Sequence, residues 1–440
     1  MRSRCVALCA TTLFTAAMPA FAQVGGPVTA PVARPTTPQV PAPRPAGPTV
    51  SGLPAPFVAR SGPLPARLTL EDAVAEAAAR APAIVAAQAE VDAAGARLGQ
   101  ARLRPNPELN VEVENFAGGG PERVETTVSI NQRLDLGGRR RARVSAAQAA
   151  LAAQELRLSI ALADLARDVR ISFATAVAAS ARLELAQANQ GRAAELARIA
   201  EELVAAGREP PLRALRARTA LAQSDAALRS AEAELAAARQ SLGVLLGGAV
   251  DSTELIDSGS LPIPAAVDPS ETLDVRLAEA ERLAAETGVA QERAAGRLDP
   301  SVGVGVRHIA ETGDKALVAG FSVPLPLFDR NRGNIAAARA GVRAAEARRE
   351  AALAQAAATI ANASTALAAA DVRVRALESA AVPEAREALR LTELSYQAGR
   401  SSLLELLDAQ EAFAAVQSEL IEARLARATA AASLTRSAAQ

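Results

Sequence analysis

The side chains that ordinarily carry chemistry are few in this sequence and poorly placed for it. His308 is the only histidine, and an imidazole without thiolates or carboxylates at ligand spacing makes a poor metal site. No Gly-Lys-Ser/Thr phosphate loop is present, so any energy must come from a partner. VGVGV at 302–306 is not a dinucleotide loop: no helix follows it, and His308 stands where the third glycine would be. Nothing here predicts an enzyme or a bound cofactor. What remains is charge at regular spacing. Glu112 and Glu114 alternate with valines, Glu125 shares their pattern, and Glu405 and Asp408 lie three residues apart, on one helical face. Such groups act on ions through electrostatics.

The charges must be positioned by something elongated. Half of the 440 residues are hydrophobic, much of that alanine, and alanine-rich helices pack closely while burying little area each. Formal net charge is zero, only Lys315 of the 48 basic residues is lysine, and no basic stripe with interleaved aromatics speaks for nucleic acid. Residues 1–22 read as a signal peptide: charged start, apolar stretch, Ala20-Phe21-Ala22 at the end. Cys5 and Cys9 fall inside it, so a processed chain would hold no thiol, and neither has the upstream leucine of a lipid-attachment signal. The segment 23–66, with prolines from Pro27 to Pro65, reads as an extended linker. No stretch offers the roughly 18 uncharged apolar residues of a membrane-spanning helix. A chain of this kind that crosses a membrane must do so with strands.

From residue 67 the sequence predicts a duplicated unit of helix, hairpin, long helix and helix. Thr69 can cap the first helix, with Asp72 reaching back to it. ELNVEVENF and VETTVSINQR alternate with a period of two over 107–133, as do VGVGVRH and ALVAGFSVP over 300–325, at the length a tilted strand needs to cross a bilayer. From Gly137 to Gly207 apolar residues recur at spacings of three and four, a helix of about 100 Å. A second such segment runs from Asn334 to Ala398, where Pro383 should kink rather than end it. RPNPELNVEV from Arg104 matches RLDPSVGVGV from Arg297, and AGREPPLRALRA from Ala206 matches AGRSSLLELLDA from Ala398, at offsets of 193 and 192. The repeats thus cover 67–247 and 270–440, with 248–269 as an equatorial connection. Arg213 and Arg216 become the repeat-mates of Glu405 and Asp408.

Four strands cannot close a barrel, and open edges do not survive in lipid, so several chains must share one. Three would give twelve strands and an aqueous lumen. Glu112, Glu114 and Glu125 then face that lumen, either favouring cations or simply supplying the polarity any water-filled barrel needs. At PLPLFDRNRGNIAAA the prolines end the ladder, Phe328 sits at the membrane interface, and Asp329 and Asn331 are expected to satisfy the first free helix amides.

This layout resembles the TolC-like outer-membrane efflux channels from about residue 68 onward. RPNPELNVEVENF, LDLGGRRRARVSAA and RHIAETGDKALVAGFSVPLPLFDRNRGNIAAA resemble the branch serving cobalt, zinc and cadmium pumps. The resemblance implies a homotrimer with its barrel in outer-membrane lipid. Its helical tunnel would cross the periplasm to meet an adaptor protein and an inner-membrane proton-driven pump of the resistance-nodulation-division class. It implies export of heavy-metal cations, with export of drugs or organic compounds by the same fold, or a periplasmic coiled-coil scaffold, as the alternatives. It also implies that YQAGRSSLLELLDA lines a closed periplasmic aperture narrowed by Glu405 and Asp408. In the family the residue matching Arg213 is often an acid that bonds the tyrosine matching Tyr396, and the position of Ser401 often carries an arginine. Here the charges differ, and two readings stand: Arg213 and Arg216 latch to Glu405 and Asp408 of a neighbouring hairpin, or all four belong to a solvated helix tip.

Overall fold

The computed structural model describes residues 60, 62–116, 124–250, 253–256, 264 and 266–439. All fall within one compact unit, Pro54–Gln440. The leader and most of the segment read as a linker lie outside them.

The chain begins with strand β1 (Arg67–Thr69) and helices α1 (Leu70–Arg80) and α2 (Pro82–Ala101). Thr69 and Asp72 form the reciprocal capping box expected from their spacing. The hairpin β2 (Glu108–Glu114) and β3 (Glu125–Arg133) follows, then α3 (Arg139–Ala205) and α4 (Pro211–Leu246). After β4 (Glu254–Ile256), the order recurs as α5 (Leu273–Ala295), β5 (Ser301–Ile309), β6 (Lys315–Ser322), α6 (Arg332–Ala376), α7 (Val382–Gln397) and α8 (Leu403–Ser437). The chain is mainly helical with a small sheet part, built from a duplicated unit.

The 67 residues of α3 span about 100 Å. On the sheet side of the molecule α3 packs against α2 and α5; on the far side it packs against α4 and α8. Two shorter helices thus stack alongside each long one. Arg80 at the end of α1 meets Gly247 just past the end of α4, and Arg436 near the end of α8 bonds Asp274 at the start of α5. Pro383 lacks the N–H an α-helix needs, and a π turn over Leu377–Ala381 precedes it, with Val382 N–H reaching Leu377. That extra residue lets α6 run into α7 without a break.

The principal core lies at mid-height. Leu68, Val169, Phe173, Leu242 and Leu246 are buried there among Ala73, Ala77, Ala176 and Ala179. The alanines allow close approach of the helix axes, and the few large side chains fill the space left. β1 and β4 pair in parallel beside this core, and Thr253 Oγ1 bonds Pro65 O at 3.3 Å. Arg80, itself buried, donates to Gly62 O at 2.6 Å and to Glu76 at 2.7 Å, so residues 62–66 are held against α1 rather than standing free of it.

One arginine ties three helices together at this level. Arg436 Nε bonds Asp164 of α3 at 2.8 Å while its Nη atoms bond Asp274 of α5. Burial pushes its pKa down, yet the hydrogen bonds and charges of Asp274 and Asp164 outweigh this and hold it above the ordinary value. Arg436→Ala would leave Asp274 without its cation and Asp164 with Arg167 alone, at 3.4 Å. It should cost about 1–3 kcal/mol, seen as a lower thermal midpoint by circular dichroism; an unchanged midpoint would remove Arg436 from the list of stabilising ties.

Candidate functional site

Two places concentrate the charges singled out in the sequence: the polar face of the sheet and the tips of the two helical hairpins.

The sheet runs β2-β3-β5-β6, all antiparallel, with β2 and β6 at open edges. Alternation places Leu109, Val111, Val113, Val128 and Ile130 on one face with Val302, Val304, Val306, Leu317 and Phe321, and these are all exposed to varying degrees. The opposite face is polar, and the strands crowd together on it. Gly305 shows how close they come: a Cβ there would lie 2.6 Å from Ser129 Cβ, and one on Gly303 would strike Asn131, the crowding expected on the inner side of a curved wall. An apolar face with a polar one opposite is the pattern of a barrel wall.

Glu112, Glu114 and Glu125 all lie on the polar face, but not as a free trio. Glu114 and Glu125 stand directly opposite each other in the β2-β3 register, a repulsive pair if unrelieved. Arg307 of β5 relieves it, reaching Glu125 at 3.1 Å, Glu114 at 3.4 Å and the buried Thr127 Oγ1 at 3.1 Å. Only Glu112, paired in register with Thr127, has no ion-pair partner among the described residues. Sequence reasoning passed over Arg307. Its alternation with Gly303 and Gly305 marked its face, but its place beside β3 depends on pairing across some 180 residues.

His308 ends the apolar face, in register with Thr126 and Lys315. At the junction below the sheet, Asn331 departs from the expected capping role. It adopts a left-handed conformation with φ of 56° and caps no backbone amide of the helix, its Oδ1 accepting instead from Asn334 Nδ2 at 2.7 Å. Its Nδ2 instead bonds Glu292 O and Oε2, both at 2.8 Å, while Asp329 accepts from Asn331 N–H at 2.8 Å. The pair anchors α6 to α5 instead of satisfying the first helical amides.

At the far end, the two tips share one design. α3 ends at Gly207 with φ of 67°, and α7 ends at Gly399 with φ of 71°, the conformation glycine adopts without strain. Arg208 N–H bonds Leu203 O at 2.9 Å, and Arg400 N–H bonds Ser395 O at 2.8 Å, the same bond at the same offset. Leu196, Leu389, Leu403, Leu406 and Phe413 pack the tips together.

Around this apolar cluster the four latch candidates separate. Glu405 caps its own helix, accepting from Ser402 N–H at 2.8 Å, and Arg213 pairs with Glu209 one turn away. Within the chain these two are therefore engaged locally. Arg216 and Asp408 line one groove of about 630 Å³ between α4 and α8, with no ion pair between them. A second groove of about 1040 Å³ contains Tyr396, Glu209, Arg213, Glu393 and Arg400. Glu209 was missed in the sequence. It supplies beside Tyr396 the acid that the expected pattern would have put at position 213, displaced by one turn, and the i,i+4 spacing to Arg213 was the available signal.

Residues 73–248 and 270–440 match the family described as outer membrane efflux protein. Among curated proteins, the cobalt-zinc-cadmium resistance protein CzcC of Cupriavidus metallidurans is 31% identical over 352 residues, 78% of this chain and 83% of that protein. The nickel-cobalt-cadmium resistance protein NccC of Alcaligenes xylosoxydans xylosoxydans is 34% identical over 270 residues, 59% of this chain and 61% of that protein. Among solved structures, CusC aligns with a TM-score of 0.73 at 21% identity, covering 84% of this chain and 92% of that one. The outer membrane protein VceC of Vibrio cholerae aligns at 0.72 with 22% identity, covering 84% and 96%.

Burial raises the pKa of the Tyr396 phenol, the charge of Glu209 raises it further, and Arg213 lowers it. Tyr396 is the only tyrosine and there is no tryptophan, so ultraviolet titration reads this one group. Its midpoint should lie above the ordinary value of about 10, higher still in Arg213→Gln and lower in Glu209→Gln. A midpoint unmoved by both changes would dissociate Tyr396 from this pair.

Proposed function

The chain belongs to the outer membrane efflux protein family, and from that membership we propose that it is the outer-membrane channel of a tripartite heavy-metal efflux system. One observation carries the channel reading: a four-stranded wall with an apolar outside, a polar inside and open edges continues directly into helices of about 100 Å. An open edge in hydrocarbon leaves backbone groups unsatisfied at several kcal/mol each. Three copies close twelve strands into one lumen and leave no edge. The long helices then extend the lumen through the periplasm, where the tips meet an adaptor and, through it, a proton-driven pump of the inner membrane. The named resistance relatives support cobalt, zinc, cadmium and nickel as the cargo class. Among the described residues no group of three or more His, Cys, Asp or Glu could hold a metal ion; the cargo passes through a water-filled duct.

In this reading Glu112, Glu114 and Glu125 face the lumen, and Arg307 offsets two of them. The residues Tyr396, Glu405, Asp408, Arg213 and Arg216 belong to the periplasmic aperture. Arg216 and Asp408, without side-chain partners among the described residues, are the two free to bond a neighbouring copy. The tie is renewed three times by symmetry and can be released when an adaptor docks.

Deleting the gene should lower tolerance to cobalt, zinc or cadmium, with restoration by the intact gene and unchanged tolerance to organic drugs. Loss of drug tolerance alone would transfer the chain to a drug-efflux system. For the lumen, Arg307→Gln should shift single-channel reversal potentials in a salt gradient towards cation preference, and Glu112→Gln should shift them the other way. Identical potentials in both variants would deny the barrel any role in ion selection.

A further inference from the structure

The collar between sheet and helices carries more positive charge than its own acids offset. Residues 102–104, 133–143, 292–299 and 329–332 meet at this level and hold eleven arginines against four carboxylates, in a chain whose formal charge is zero. The carboxylates are largely committed inside the collar. Asp299 bonds Arg139 at 3.1 Å, Glu292 holds Asn331, and Asp135 and Asp329 accept backbone N–H groups. Arg102, Arg104, Arg140, Arg141 and Arg332 are exposed, and their side chains have no partner among the described residues.

The helix ends sharpen the excess. α1 and α8 begin with acids and full capping boxes. α3 and α6, which both start in this collar, have no acid in the first turn and no capping bond from the residue that precedes them. Arginines thus sit at the positive ends of two long helix dipoles, where Asp135, accepting from Arg140 N–H at 3.1 Å, is the one acid bonded to a first-turn amide among the described residues. Beside them apolar side chains stand in the open: Phe328 is 100% exposed, Leu136 73%, Leu325 70% and Leu327 66%. These follow the ends of β3 and β6 in the chain. The usual belt of Trp and Tyr at a membrane interface is missing, since the chain has no Trp and its one Tyr lies at the far tips.

Resting on the outer-membrane placement above, we propose that this collar binds anionic phospholipid headgroups. The exposed arginines take the phosphates, and Leu136, Leu325, Leu327 and Phe328 lie among the acyl chains. Free phosphate shares the headgroup chemistry but has no use for the apolar residues, which decides for the lipid.

The test uses the full chain and flotation with vesicles of phosphatidylcholine alone or mixed equally with phosphatidylglycerol. Both vesicles should carry the protein, with about ten- to a hundredfold stronger binding to the anionic ones, weakened by salt. R140Q/R141Q/R332Q should lose that preference while still floating with phosphatidylcholine. R332Q alone, the milder change, should reduce the preference about fivefold at an unchanged thermal midpoint. Equal binding of the wild-type chain to both vesicles overturns the proposal, as does a preference that survives in the triple variant. A preference abolished by millimolar inorganic phosphate makes the collar a phosphate site and also overturns it. Flotation with neither vesicle overturns the membrane placement and this inference with it, so the two failures are distinct.

Discussion

The pairing of β3 with β5 is the contact on which the rest of the molecule depends. It joins the two halves of a duplicated chain through nine residues in register, from Glu125 opposite Ile309 to Arg133 opposite Ser301. Each hairpin alone would be a marginal two-stranded ribbon. Joined, they form one wall, and because β3 leads into α3 and β5 follows α5, the same pairing sets those two helices side by side. Gly303 and Gly305 let the strands approach closely at Asn131 and Ser129 along this seam. The seam also brings Arg307 to the opposed carboxylates Glu114 and Glu125, so one contact determines both the pairing of the sheet and the charge of its polar face.

The helical part is stabilised differently. Alanine at the interfaces lets long helices lie close without deep interdigitation, and the large apolar side chains gather in a few clusters. Between the clusters, arginines reach across helices to acids, as Arg424 does to Glu378 at 2.7 Å and Arg373 to Glu419 at 2.8 Å. Most such pairs are well exposed and individually worth little. Their distribution along a rod nonetheless restricts sliding of one helix past another, which apolar contacts among alanines resist weakly.

Much of this was legible from residues alone. The period-two runs, the segment from Gly137 to Gly207 and the glycine turns at 207 and 399 are local patterns, and local patterns follow from backbone sterics and the side-chain period. The capping box at Thr69 formed because its partners are three residues apart. Asn331 departed from the same kind of expectation, since Glu292 on a neighbouring helix offered its side chain two acceptors. Arg307 and Glu209 escaped notice for a related reason: each matters through a residue that is distant in sequence, Glu114 and Tyr396 respectively.

The duplicated order of elements, the alternation that separates an apolar from a polar strand face, and the near-absence of catalytic groups were determined by the sequence, because each is a property of neighbours along the chain. Which charges are free was decided only by the tertiary structure. Arg213 and Glu405 are engaged within their own turns, Glu114 and Glu125 share an arginine from the other half of the chain, and Arg216 with Asp408 is left facing an open groove. A charge acts through what lies within a few ångströms of it, and in a duplicated fold those neighbours come from across the repeat.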